Sequence, residues 1–258
     1  MKGGGILDFA HILYHYAPGL ERYLPPPTFF GLFISMGLGA IFYLGTRERR
    51  LIPRGLQNIV EFAVEALDRY VQAVLGRRDP RVLPFTVALF IFIVTCNLAG
   101  LVPGFEAPTA NWSTTLALTL VAVGYYHFQG IRAKGLKGYL KSFVHGVRIP
   151  GFFGALISAF LLGLSLVIEV ADHFMARPLS LSVRLFGNMF AKEVALSVFY
   201  TLPVQLGMPL WALPGVVVGL SILVGFTMFI GLIASIIQAF IFVTLALVWY
   251  QMAVGPEH

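Results

Sequence analysis

Long apolar runs alternate with short polar links along this chain of 258 residues, and the links mark its elements. Residues 29–45, after the start signal Pro25-Pro26-Pro27, form a first short, Gly-rich run closed by Arg47-Glu48-Arg49-Arg50. Residues 54–76 change the pattern. Leu56, Ile59, Val60, Ala63, Val64, Leu67, Val71 and Val74 recur at three and four, with Glu61, Glu65, Asp68 and Arg69 on the other side. That spacing predicts an amphipathic helix lying on a membrane surface. Residues 82–101 and 113–131 are two further apolar runs, each close to the ~20 residues that cross a bilayer core. A link with Pro103, Gly104 and Pro108 joins them as a hairpin.

The remaining two runs, 152–200 and 214–254, are about twice the length an upright span needs. Neither has a turn signal near its middle. Both are expected as long tilted helices, the first kinked at Pro178. The fold class expected is an all-α integral membrane protein forming a single membrane domain over 1–258. Its parts are an N-terminal span, an amphipathic surface helix, a transmembrane hairpin and two long tilted membrane helices.

Composition supports lipid as the solvent. Hydrophobic residues make up 58% of the chain, charged residues 12%, and the mean hydropathy is +0.83. A soluble domain carries about twice that charge. The formal charge of +6 does not point to nucleic acid, because the cations sit in links. Eight of the 18 Lys and Arg fall in 47–81 and five in 132–148, with none in 101–112 or after 192. The positive-inside rule places 47–81 and 132–148 in the cytoplasm. Five crossings then leave the N-terminus outside and the C-terminus inside, which suits a bacterial plasma (inner) membrane. The N-terminal stretch lacks the unbroken apolar core of a signal peptide. Cys96, in an apolar run, excludes a disulfide framework and reads as a buried thiol. His11 and His15 have an i,i+4 metal spacing but no third ligand, and are read as interface histidines. No metal and no cofactor are expected.

Seven ionisable residues interrupt the run 152–200, namely Glu169, Asp172, His173, Arg177, Arg184, Lys192 and Glu193. A charge inside a membrane segment costs ~2.5–3.5 kcal/mol on insertion scales, so such residues face a cavity or a partner. Arg184 and Asn188 share a helix face, and Arg177, seven residues earlier, falls on nearly the same one. Glu193 points to the opposite side. Glu169 and Asp172 are neighbours toward the cytoplasmic end, and Glu193 lies toward the outer end. Acids on either side of a fixed cation suggest two aqueous approaches with a positive barrier between them. A guanidinium keeps its charge, repels a passing cation and favours ionisation of a carboxylate on a partner. His173 beside Asp172 is either a proton carrier or a structural histidine. Lys192 is expected to snorkel or to pair with Glu193.

The run Arg177-Pro178-Leu179-Ser180-Leu181-Ser182-Val183-Arg184-Leu185-Phe186-Gly187-Asn188-Met189-Phe190-Ala191 closely resembles the signature of subunit a of F-type ATP synthases. Ile236-Ile237-Gln238-Ala239-Phe240-Ile241-Phe242 resembles that family's final helix, and Asn97-Leu98 with Pro103 the end of its first hairpin helix. The resemblance implies a stationary, non-catalytic Fo subunit with two offset proton half-channels serving the carboxylates of a c-subunit ring. It implies that Arg184 faces the ring, that Gln238 sits near Arg184, that Asn188 lines the same region, and that Glu193 belongs to the outer channel and Glu169 to the cytoplasmic one. Asp172, His173, Lys192 and Asn97 are further candidate channel residues. The implied partners are the c ring, the b subunits of the peripheral stalk, the F1 sector through the assembled complex, and lipid. Two positions depart from the family pattern. Lys192 stands where relatives often carry a small residue, and Gly231 where many carry His or Glu. Pairing of Lys192 with Glu193, and polarity from Glu106, would compensate.

Two other functions fit less well. A stand-alone secondary ion transporter would accommodate the embedded charges, but no internal repeat is visible. An intramembrane enzyme lacks a nucleophile-elbow pattern around Ser165 and a His-rich metal motif in the spans. No phosphate-binding Gly-rich loop is present, so ATP chemistry would belong to partners.

Overall fold

The computed structural model describes residues 25–48, 50–102, 105, 107–143, 152–205 and 213–255, without the side chains of 152–156, 159, 199–218 and 220. His11, His15 and Glu106 lie outside the described residues. Those described fold as helices joined by short links, with no strand among them. Helix α1 (Pro26–Arg47) starts on Pro26, whose missing N–H costs nothing in a first turn. Helix α2 (Leu56–Leu75) buries Val60, Leu67, Val71 and Leu75 and exposes Glu61 and Glu65. Its apolar stripe lies against α1 and the later helices, and Tyr70 of α2 bonds the hydroxyl of Thr244.

Helix α3 (Leu83–Ala99) is apolar all round. A turn of 3₁₀ helix at Pro108–Ala110 carries the chain into α4 (Trp112–Lys141), capped by Asn111, whose side chain accepts from the Ser113 N–H at 2.9 Å. The sequence reading ends this element near residue 131. The helix instead runs on, and breaks at Gly135, where a φ of 73° is accessible to glycine without strain. The break turns the last arm back, so that the Tyr139 ring reaches His127 one arm earlier.

The long run beginning at 152 forms α5 (Phe152–Ala171), a wide π-turn (Asp172–Ala176) and α6 (Arg177–Gln205) without a link. Pro178 has no N–H and its ring crowds the carbonyl four residues back, so a regular turn cannot pass through this point. The wide turn absorbs the mismatch, with the Arg177 N–H reaching the Asp172 carbonyl. Helix α7 (Leu213–Val254) continues unbroken for 42 residues, about 63 Å at 1.5 Å per residue.

The core lies where α3, α4, α6 and α7 meet, around Ile93, Tyr126, Leu181, Leu185, Phe242 and Leu247. Elsewhere large apolar side chains face outward. Phe160 is 70% exposed, Val167 66% and Met175 70%. So much apolar surface is incompatible with water as the surrounding solvent, and α1 and α7 are long and apolar enough to cross a membrane. The chain is a membrane protein.

Candidate functional site

Helix α6 sorts its residues by a four-residue stride. Leu181, Leu185 and Met189 are fully buried against the neighbouring helices. Arg184 and Asn188 are exposed on another face together with Ser180 and Ala191, and the exposed apolar Leu179, Val183 and Phe190 lie about 100–140° further round the helix. Among the described residues, no carboxylate lies within ion-pair distance of Arg184. The guanidinium is therefore left without a carboxylate partner among the described residues.

Asn188 reaches across to α7, where its Nδ2 donates to Gln238 Oε1 at 2.6 Å. Gln238 is 2% exposed, and its Nε2 is buried with no hydrogen-bond partner. Gln238 thus sits beside Asn188, one turn from Arg184. A polar group left unpaired in an apolar interior is costly, so this amide donor is poised to take a partner.

One turn further along α6, Lys192 is buried. Its Nζ donates to the Asn97 carbonyl at 3.0 Å and the Ser235 hydroxyl at 3.1 Å, and meets Met189 Sδ at 3.3 Å. Asn97 Nδ2 donates to the Ser235 carbonyl at 3.3 Å, and Asn97 Oδ1 accepts from Thr109 at 2.7 Å. Lys192 therefore ties α6 to α3 and α7, rather than pairing with Glu193. Consecutive residues on a helix point about 100° apart, which separates the two side chains. The half-buried Glu193 adds a favourable field at the ammonium without an ion-pair contact to it. Gly231 makes room for the lysine stem. A Cβ at Gly231 would stand 2.8 Å from Lys192 Cδ and 2.9 Å from Leu101 Cδ2.

A second polar group forms around the π-turn. Arg177 Nε donates to Asp172 Oδ2 at 2.6 Å, and the Arg177 side chain is 10% exposed. Its cation lies over the Trp249 ring at 5.8 Å, and its Nη1 is buried without a hydrogen-bond partner. The heptad spacing places Arg177 on the face of Arg184, yet Arg177 is enclosed and Arg184 is open. The side chain of Arg177 leans toward the helix start, where the wide turn presents Asp172. His173 Nδ1 lies 3.0 Å from the Glu169 carbonyl and 3.6 Å from its carboxylate. Tyr126, His127 and Tyr139 of α4 close this group from the other side.

The candidate residues thus fall into two clusters with Arg184 between them. Along the α6 axis, Lys192 is about 12 Å to one side of Arg184 and Arg177 about 10.5 Å to the other, at 1.5 Å per residue. Among the described residues no group of three or more His, Cys, Asp and Glu has a metal-holding arrangement. Cys96 is fully buried, as its apolar run predicts.

Residues 28–251 match the family model described as ATP synthase A chain. The chain belongs to that family. It is 38% identical over 216 residues to ATP synthase subunit a of Solidesulfovibrio magneticus, covering 83% of this chain and 78% of the relative. It is 37% identical over 214 residues to ATP synthase subunit a 1 of Syntrophotalea carbinolica, covering 82% and 79%. ATP synthase subunit a of Nitratidesulfovibrio vulgaris is similar over 257 residues at 31% identity, covering 99% and 91%.

For this member of the ATP synthase A chain family, sequence reasoning passed over several polar residues that the fold brings to the two clusters. Ser235 was within reach of it, because it lies three residues before Gln238 and so on nearly the same face of α7. His127 also carried a signal, as an ionisable residue inside the apolar run 113–131. Thr109 and Tyr139 carried none. Each depends on a backbone feature, the 3₁₀ turn for Thr109 and the Gly135 break for Tyr139.

Proposed function

We propose that the chain is the stationary proton-translocating subunit of the Fo sector of a rotary ATP synthase, with Arg184 as its gate. The chain makes and breaks no covalent bond in this role; ATP chemistry belongs to partner subunits of the F1 sector. One observation carries the reading. Arg184 is an exposed cation with polar clusters on both sides along the same helix, and among the described residues no acid lies within ion-pair distance of it. A guanidinium in that setting needs a carboxylate from elsewhere, and a ring of c subunits passing across the face would supply one after another.

A proton enters from the outer side along Glu193, Asn188 and Gln238, near the Lys192–Asn97 cluster, and neutralises a ring carboxylate. The neutral site can turn into lipid, where an ionised one would pay a large desolvation cost. After nearly a full turn it meets the cytoplasmic approach near Glu169, Asp172 and His173 and releases its proton. Arg184 stabilises the carboxylate so formed, and its fixed charge keeps a proton from crossing directly between the two approaches. The same steps reverse when ATP drives the rotor. Each charge moved gains ~2.3 kcal/mol per 100 mV. The positive links 47–81 and 132–148 face the cytoplasm of a bacterial cell, with the N-terminus outside and the C-terminus inside. The b subunits of the peripheral stalk and lipid cover the remaining apolar faces.

Cysteine crosslinking tests the ring contact. Ser180→Cys, four residues before Arg184, and Ala191→Cys, seven after it, both exposed on the Arg184 face, should crosslink to the c subunit in the assembled complex. Phe160→Cys on α5, exposed elsewhere, is the comparison. Crosslinking of Phe160→Cys alone would contradict the assignment of the Arg184 face to the ring.

A further inference from the structure

We propose that His127, in line with Tyr139, is a proton-carrying station on the cytoplasmic path, a role that rests on the function proposed above for Glu169 and His173. His127 sits on α4, opposite the π-turn. Its Nδ1 is 2.5 Å from the Tyr139 hydroxyl, and its Nε2 is buried without a hydrogen-bond partner. The His127 ring lies 6.1 Å, centre to centre, from that of His173. His173 in turn holds its Nδ1 3.6 Å from the Glu169 carboxylate. The four side chains make one line from α5, across the π-turn, to the end of α4. Two steps exceed hydrogen-bond distance, from the Glu169 carboxylate to His173 at 3.6 Å and between the two imidazoles, and a turn of the His173 ring shortens both.

The surroundings confine a proton to this line. Phe174 stacks on His127 at 4.9 Å with rings 7° from parallel, and Phe143 meets His173 edge-on at 4.8 Å. Aromatic faces offer a proton no station. The charged and titratable groups that face the pair are Tyr126 and Tyr139 from α4, Glu169 from α5, Asp172 from the π-turn and Arg177 from α6. Asp172 neutralises much of the Arg177 charge at 2.6 Å, yet the guanidinium remains a nearby cation. Two imidazolium rings together beside it would be strongly disfavoured, so the line carries one proton at a time.

The transfer balances at each station. His173 Nδ1–H donates to the Glu169 backbone carbonyl, so the ring turns to present its bare Nε2 to the protonated Glu169 carboxyl, takes the proton there and releases the one on Nδ1. Each imidazole takes a proton at one nitrogen and releases the proton held on the other, ending neutral in the opposite tautomer. The buried Tyr139 hydroxyl accepts from His127 while giving its own proton to a water admitted at the end of α4. Rotation of the rings restores the starting tautomers. The Gly135 break is what places Tyr139 at this point, since a straight α4 would carry the phenol about 18 Å along its axis from His127 at 1.5 Å per residue.

The test uses the whole ATP synthase in vesicles, with passive proton flux measured after F1 is stripped and ring assembly checked on native gels. His127→Gln retains a hydrogen bond to Tyr139 but carries no proton. It should lower flux at least tenfold in an assembled complex and alter its dependence on cytoplasmic pH, because an imidazole is lost from the path. Tyr139→Phe should lower flux by a smaller factor. His173→Gln, an independent break in the same line, should match His127→Gln, and stands in its place if that variant does not assemble. Wild-type flux with an unchanged pH profile in assembled His127→Gln or His173→Gln would overturn the relay. Normal pumping by Arg184→Ala would instead overturn the function proposed above, so the two failures are distinguishable.

Discussion

Gly231 and Lys192 fill one space, and their coupling has a size that follows from the coordinates. In Gly231→Ala, the new methyl would stand 2.8 Å from Lys192 Cδ and 2.9 Å from Leu101 Cδ2. The lysine stem cannot swing clear without loosening its head group, which is held by Asn97, Ser235 and Met189. Overpacking of this kind costs ~1–3 kcal/mol. Replacing a helical glycine by alanine returns about 1 kcal/mol. The net effect in the wild-type background should then be a loss of up to about 2 kcal/mol. In a Lys192→Ala background the stem is gone and only the Leu101 contact remains, so the gain of about 1 kcal/mol from helix propensity is offset less and the same substitution should cost less than in the wild type. The coupling expected is the lysine's share of the overpacking, up to about 3 kcal/mol, within the range for residues in contact. A double-mutant cycle on the detergent-solubilised complex, following the loss of this subunit on heating, measures it. Equal effects of Gly231→Ala in both backgrounds would refute the shared-space account.

Asn188→Ala should destabilise the α6–α7 contact by about 1–3 kcal/mol, because Gln238 would then have both amide atoms buried and unpaired. Gln238→Leu removes the buried amide and leaves only the exposed Asn188 unpaired, so its thermal loss should be smaller, although both variants should slow ATP-driven pumping. At the π-turn, Asp172→Asn should cost more than Arg177→Met. The first strands a guanidinium that is 10% exposed, and the second leaves a carboxylate that is 43% exposed and open to water. Heating curves of the assembled complex separate the two, and an equal or reversed order would contradict the burial seen here.

Much of the helical plan was legible because the apolar runs are long and their breaks are chemical. Pro25-Pro26-Pro27 marks the start of α1, and the stripe Val60, Leu67, Val71 marks the buried face of α2. The absence of any charge in 214–254 is consistent with an uninterrupted α7. What was not legible depends on local backbone departures. The π-turn and Gly135 alter which residues meet, and Arg177, on the face that helix counting gives it, is enclosed by Asp172 of the π-turn and by Trp249. The Lys192–Glu193 pairing failed for a simpler reason, since adjacent helical residues diverge. Asn97 and Ser235 were better partners, from helices that sequence distance does not relate. The Asn188–Gln238 contact joins residues 50 apart, and only the family resemblance brought them together in advance.

The most direct measurement of the central claim is ATP-driven acidification of inverted vesicles carrying the whole complex, with wild-type chain and with Arg184→Ala. Ring assembly is verified in both. The account predicts that the assembled variant does not pump, and that it leaks protons passively because the charge separating the two approaches is gone. Normal pumping by assembled Arg184→Ala would contradict it.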